Sequence, residues 1–113
     1  MSKALIEKML RARESVIPIN GHSYTIRRPT DADVVVDMKD APPMDFIKKF
    51  VVDWELTELD FDPGGGSEQR VTFDADLWAT YIVDHPELWG PLGEGILGAY
   101  RQHIAKQEIA TKN

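Results

Sequence analysis

The chain has 113 residues, 42% of them hydrophobic, a formal net charge of -6 and no cysteine. That is enough for one modest core and not for two. It excludes a disulfide framework, a thiolate nucleophile and a cysteine-based zinc site, and no apolar run approaches the ~20 residues needed to span a bilayer. The charge is unevenly placed. Residues 1–50 carry nine Lys/Arg against seven Asp/Glu and residues 51–113 four against twelve; between Asp53 and Glu94, Arg70 is the only base among eleven acids. Such a segment repels nucleic acid and anionic lipid and suits a basic protein partner, or serves solubility alone.

In chain order, residues 2–13 read as a helix, with Ser2 as N-cap and Leu5, Ile6, Met9 and Leu10 on one face of a 3.6-residue period. Lys3, Glu7, Lys8 and Arg11 fill the other face. The charges threaded through MSKALIEKMLRARE argue against a secretory signal, and the lack of cysteine fits a cytoplasmic protein. The favoured reading is a core or edge helix; the other is a terminal arm that docks on a partner. Residues 15–27 read as a β-hairpin: Val16-Ile17-Pro18-Ile19, an Asn20-Gly21 turn whose residues tolerate positive φ, and a return through Tyr24-Thr25-Ile26. Pro18 lacks an N–H, which assigns its strand to an edge. Arg27 and Arg28 could touch phosphate or carboxylate, but a solvated strand end explains them better.

Thr30 with Asp31 and Asp33 signals a helix start. The β-branched run Val34-Val35-Val36 leaves a strand as the alternative, and Ala41-Pro42-Pro43 must end this element. A further helix follows, with Phe46, Ile47, Phe50, Val51 and Trp54 on one stripe and Lys48 and Lys49 facing away. Glu55 to Arg70 is a connection, whose Asp62-Pro63-Gly64-Gly65-Gly66-Ser67 centre cannot hold regular structure; residues 60–70 are expected to be a flexible loop. Val71-Thr72-Phe73 is extended. Asp74 caps a helix carrying Leu77, Trp78, Tyr81 and Ile82 on one face, and His85-Pro86 interrupts it. Trp89 falls on the short turn after it. A last helix runs from about Pro91 to Gln107 with Leu92, Ile96, Leu97, Tyr100 and Ile104 aligned. Gly93, Gly95 and Gly98 lie inside it, which allows another backbone to come close.

No catalytic, cofactor or metal site emerges. Gly93-Glu94-Gly95-Ile96-Leu97-Gly98 spells GxGxxG without the strand and βαβ unit that a dinucleotide fold requires. Asp60 begins a calcium-like loop, but the fifth and twelfth positions, Gly64 and Val71, offer no side-chain oxygen. His22, His85 and His103 lack the spacing of metal helices, and Asp74 and Asp76 are explained by capping and the helix dipole.

The RRPTDAD segment and the chain from FVVDWELTELDFDPGGGSEQ onward resemble the small proteins of long-tailed phage and prophage tail modules. They are similar to the tail assembly chaperones that hold the tape measure protein before the tail tube polymerises. The resemblance covers about residues 15–113. Its strongest parts are the Trp54 segment, the Pro63-Gly64-Gly65 loop, the Phe73-Asp74-Ala75 helix start and the Trp89-Gly90-Pro91 bend. It implies a non-enzymatic cytoplasmic protein, prone to self-association, that binds a long helical client. The fold expected is α+β: one mostly helical domain over 1–113, with the hairpin packed on four to five short helices across 30–108. Exposed aromatics, Trp78, Trp89 and Tyr100, would cover apolar stripes of the tape measure protein or another basic helical tail protein, and no nucleic acid or membrane is involved. The alternatives are a structural minor tail subunit of terminator or connector type, and an acidic inhibitor of a host protein.

Overall fold

The computed structural model describes residues 2–36 and 43–112, so the expected break at Ala41-Pro42 lies outside the described residues. The chain folds as α+β, in the order α1 (Ser2–Ala12), β1 (Glu14–Ile19), β2 (His22–Arg27), α2 (Asp31–Val36), α3 (Pro43–Phe50), β3 (Val51–Trp54), α4 (Glu58–Phe61), α5 (Ala75–Ile82), a 3-10 turn at Pro86–Leu88 and α6 (Trp89–Lys112). No helix among the described residues is long and apolar enough to cross a membrane.

The hairpin forms as its turn chemistry dictates. Asn20 (φ 53) and Gly21 (φ 85) take the left-handed geometry of a two-residue turn, and Ile19 pairs with His22. Pro18 faces Ser23, one position beyond that closing pair. Its missing N–H therefore points to the open edge and no ladder bond is lost. β1 is an edge strand in the antiparallel sheet β1-β2-β3.

The third strand is a correction to the sequence reading, which ran the α3 helix on through Val51 and Trp54. The pairing explains the error. Thr25 pairs with Asp53 but Ile26 with Val51, so Val52 is an extra residue in a bulge. The bulge breaks strict alternation and turns Val51 and Trp54, three residues apart, both into the core. Three apart is also helical spacing, so a bulged strand at the end of a helix mimics the helix's own stripe. The β-branched pair Val51-Val52 favours the extended form.

Helix starts are set by side chains. Thr30 and Asp33 bond reciprocally: the Thr30 amide donates to Asp33 Oδ2 (2.8 Å) and the Asp33 amide to Thr30 Oγ1 (3.2 Å). Burial alone would raise the Asp33 carboxyl. The bonds from the Thr30 amide and hydroxyl and from Lys49 outweigh it and hold the carboxyl below its ordinary value. Its contribution to stability is therefore full above the usual carboxylate range and is lost as pH falls through that lowered value. Thr57 and Asp60 repeat the box at α4, and Asp74 accepts from the Leu77 amide (2.9 Å) at α5. Helix α6 begins two residues earlier than expected, at Trp89, and tolerates Pro91 within its first turn.

Within the segment expected to be a loop over 60–70, Asp60 and Phe61 belong to α4 and the irregular remainder is tied to that helix. The amides of Glu58 and Leu59 donate to the carbonyls of Gln69 (3.0 Å) and Ser67 (2.9 Å), and the Gly66 amide returns to Asp62 O (2.8 Å). Gly66 lies so close to α4 that a Cβ there would overlap the Glu58 backbone.

The core joins Tyr24 and Ile26 of the sheet, Ile47 and Phe50 of α3, Val51 and Trp54 of β3, Leu56, Trp78 and Ile82 of α5, and Leu92 and Ile96 of α6. Gly95 admits the Ile17 side chain onto α6, where a Cβ would overlap it; the close approach is a side chain and not a backbone. Gly93 and Gly98 face open space. Gly93→Ala and Gly98→Ala are expected to raise stability by ~1 kcal/mol each through helix propensity. Gly66→Ala is expected to lower it by about 1–3 kcal/mol, because backbone cannot yield to the added methyl. Urea unfolding midpoints measure all three.

Candidate protein-binding surface

The tryptophans show how local structure divides these aromatics between scaffold and surface. Helix ends leave carbonyls without intrahelical partners, and two indoles fill such positions. Trp78 Nε1 donates to Ile47 O in the last turn of α3 (3.0 Å), and Trp89 Nε1 to Ile82 O at the end of α5 (2.7 Å). Trp54 Nε1 reaches Val71 O (2.7 Å) beyond the α4 segment.

Of the three aromatics expected on a binding face, Trp78 is not there. It is 0% exposed, wedged against Trp54 and Tyr24 in the core. Its side chain points at the sheet and α3, so none of Trp78 remains for a client. Trp89 is 37% exposed. Tyr100 is half-buried and ties α6 to α2 through its hydroxyl, which donates to Asp31 Oδ1 (2.9 Å); that bond to a carboxylate raises the phenol's pKa. Eleven residues separate Trp89 from Tyr100, about 16 Å along a helix, so they do not share a patch.

A groove that the sequence reading missed lies between α4 and α5. It is a cavity of about 200 Å³ lined by Asp60, Phe61, Leu77, Thr80, Tyr81, Asp84 and His85. Phe61 meets Tyr81 edge-on (centroids 4.9 Å apart), and His85 stacks on Tyr81 at 3.8 Å and 15°. His85 Nδ1 contacts Tyr81 O at 2.7 Å; a carbonyl only accepts, so this nitrogen carries the proton. Burial, then the charges of Asp60 and Glu87, raise the Tyr81 phenol, which stays neutral.

Asp60 is committed: it accepts from the Thr57 amide and hydroxyl and meets His22 Nε2 at 3.2 Å. Asp84 forms no ion pair with a described residue, and the segment's one base is held elsewhere, between Asp53 (3.0 Å) and Glu55 (3.1 Å). Exposed Leu59 stands on α4 and Val83 caps the end of α5, while Trp89 begins α6 and reaches back to Ile82 O. Val83 could have been found by periodicity, since it falls one residue outside the Leu77-Trp78-Tyr81-Ile82 stripe. Phe61 and Tyr81 meet only through the fold.

Among the described residues, no three His, Asp or Glu side chains are placed to hold a metal ion. An apolar floor and, at its rim, a carboxylate with no ion pair among the described residues are parts of a protein-recognition site; the partly exposed indole of Trp89 is not among the groove's lining residues. Neither a protein-family model, a curated protein nor a solved structure matches this chain.

Proposed function

We propose that this chain is a non-catalytic tail assembly chaperone of a long-tailed phage or prophage. In the host bacterial cytoplasm it binds and shields the tape measure protein, a long helical client, until the tail tube assembles around it. The observation that carries the reading is the acidic, aromatic-floored groove between α4 and α5. A basic amphipathic segment of the client would lay apolar side chains against Phe61, Tyr81 and Trp89, and its Lys and Arg would meet Asp84 and its acidic neighbours.

The four segments that carry the resemblance lie on the chain between β3 and the start of α6, and one of them, the Trp54 segment, meets the groove residue Phe61. Trp54 packs on Phe61 (5.3 Å) and Phe73 (4.7 Å), Asp74 caps α5, the Pro63-Gly64-Gly65 turn follows α4, and Trp89 closes the far end of α5.

Co-expression with the longest helical protein of a neighbouring tail module tests the reading. The client is expected to be insoluble alone and soluble in complex, with binding that weakens as salt rises. Discrete rings of this chain by itself, no rescue of the client and presence in purified particles would instead make it a structural tail subunit.

A further inference from the structure

Helix α1 contains no buried residue. Leu5 (63% exposed), Ile6 (55%) and Met9 (59%) form an uncovered apolar stripe. Of the core-or-edge expectation for this helix, the core half does not hold. An eleven-residue helix is marginal on its own, and an uncovered apolar face on it calls for a partner. Helical spacing places Lys3 and Lys8 on either border of the stripe. Arg13, four residues after Met9, continues it, and the Arg13 amide extends the last turn onto Leu10 O (3.1 Å).

The stripe ends in a second feature. A cleft of about 380 Å³ opens where the end of α1 meets β1, the end of β2 and the outer half of α6; Arg13, Arg28, His103 and Lys106 line it. The Arg28 amide donates to Arg13 O (2.8 Å), holding the two arginines side by side. The nearby carboxylates are engaged: Glu14, which also lines the cleft, accepts from Arg27 (3.1 Å), and Asp31 accepts from Tyr100. Arg13, Arg28 and Lys106 form no ion pair with a described residue. In a chain of net charge -6 this is a local concentration of positive charge without ion pairs among the described residues.

We infer that the α1 stripe and the cationic cleft at its end are one docking surface for an acidic amphipathic helix of a partner protein. Each feature excludes a simpler occupant. A small oxyanion would fill the cleft and leave Leu5, Ile6 and Met9 in water. An anionic membrane would take the stripe, but it would draw an acidic chain toward negative lipid. A second copy could pair α1 with α1, but the flanking Lys3, Lys8 and Arg13 would then meet like charge across the seam, and the exposed apolar residues of the acidic half, Leu59, Val83 and Trp89, come from separate elements and form no helical stripe. A helix with leucines on one face and glutamates flanking them satisfies stripe, borders and cleft together, as interhelical charge pairs do beside a coiled-coil seam. This surface shares no residue with the α4–α5 groove, so the inference stands or falls apart from the chaperone reading.

The probe is a fluorescein-labelled synthetic helix of leucine and glutamate in amphipathic order, titrated with the full chain and followed by anisotropy. Its leucine–lysine counterpart and phosphatidylcholine/phosphatidylserine vesicles run in parallel. The acidic helix is expected to bind, more weakly as salt rises, and the basic helix and the vesicles not to bind. Leu5→Gln with Met9→Gln, and separately Arg13→Gln with Lys106→Gln, are each expected to weaken binding about tenfold or more. All four side chains lie outside the core, so the urea midpoint should not move. Equal binding of both helices, or indifference to the stripe pair, would overturn the inference. So would a stripe pair that alters only vesicle binding, which assigns α1 to a lipid surface, or only the chain's own sedimentation, which assigns it to a second copy.

Discussion

Trp78→Ala is expected to destabilise the protein by about 3–5 kcal/mol, the range for emptying a large aromatic from a core that collapses only partly. Folded domains are stable by roughly 5–15 kcal/mol, so this one change takes a large share of the total. The ring is fully buried, with Trp54 at 5.9 Å and Tyr24 at 5.8 Å, and it sits where sheet, α3 and α5 converge. Its indole N–H also satisfies the Ile47 carbonyl at the end of α3. Trp78→Phe separates the two roles. It keeps most of the apolar volume but leaves that carbonyl unpaired and buried, for a cost of about 1–3 kcal/mol. Urea unfolding followed by far-UV circular dichroism gives both values. A Trp78→Ala protein within about 1 kcal/mol of the parent, well below the core-truncation range, would remove Trp78 from the core.

Trp78 also marks where sequence stops informing. Periodicity identified its face correctly, along with Leu77, Tyr81 and Ile82, because a 3.6-residue repeat encodes direction. It does not encode depth. The same pattern describes α1, where Leu5, Ile6 and Met9 face water, and α5, where Trp78 and Ile82 face a sheet. Burial is decided by which elements the chain brings alongside. Local chemistry was more readable: Asn20-Gly21 fixed the turn, and Thr30 and Asp74 the helix starts, since each acts on backbone within three residues. The ties of the 60–70 connection are not legible in sequence: the Glu58 and Leu59 amides reach forward to Gln69 and Ser67 and the Gly65 and Gly66 amides back to Asp62, and glycine composition signals only that such a return is sterically allowed.

The groove was the least legible feature. Phe61 lies in what read as a loop and Tyr81 in what read as a core stripe, and neither predicts the other. They meet because Thr57 and Asp60 wind one helical turn immediately after β3, which presents Phe61 to both Trp54 and Tyr81. What the sequence did carry was charge. Eleven acids against Arg70 between Asp53 and Glu94 mark the segment as electrostatically distinct, and the fold places a partly exposed tryptophan at the end of α5 within it.

That tryptophan separates folding from recognition. Trp89→Ala is expected to leave the protein folded, at a cost of about 1–2 kcal/mol for the lost bond to Ile82 O and partial burial. Affinity for the helical client should fall by roughly thirtyfold or more if Trp89 is an aromatic anchor of the interface, the loss typical when such an anchor, worth ≥2 kcal/mol, is truncated. Asp84→Lys should act differently. Its carboxylate has no described ion-pair partner to lose, so stability should hardly change; association should slow, and the salt dependence of binding should flatten, as when a rim charge is removed. Stopped-flow binding to the co-purified client, at low and high salt, resolves the two effects: Trp89→Ala raises the dissociation rate and Asp84→Lys lowers the association rate. If both variants bound the client as the parent does while remaining folded, the α4–α5 groove would not be where the client sits.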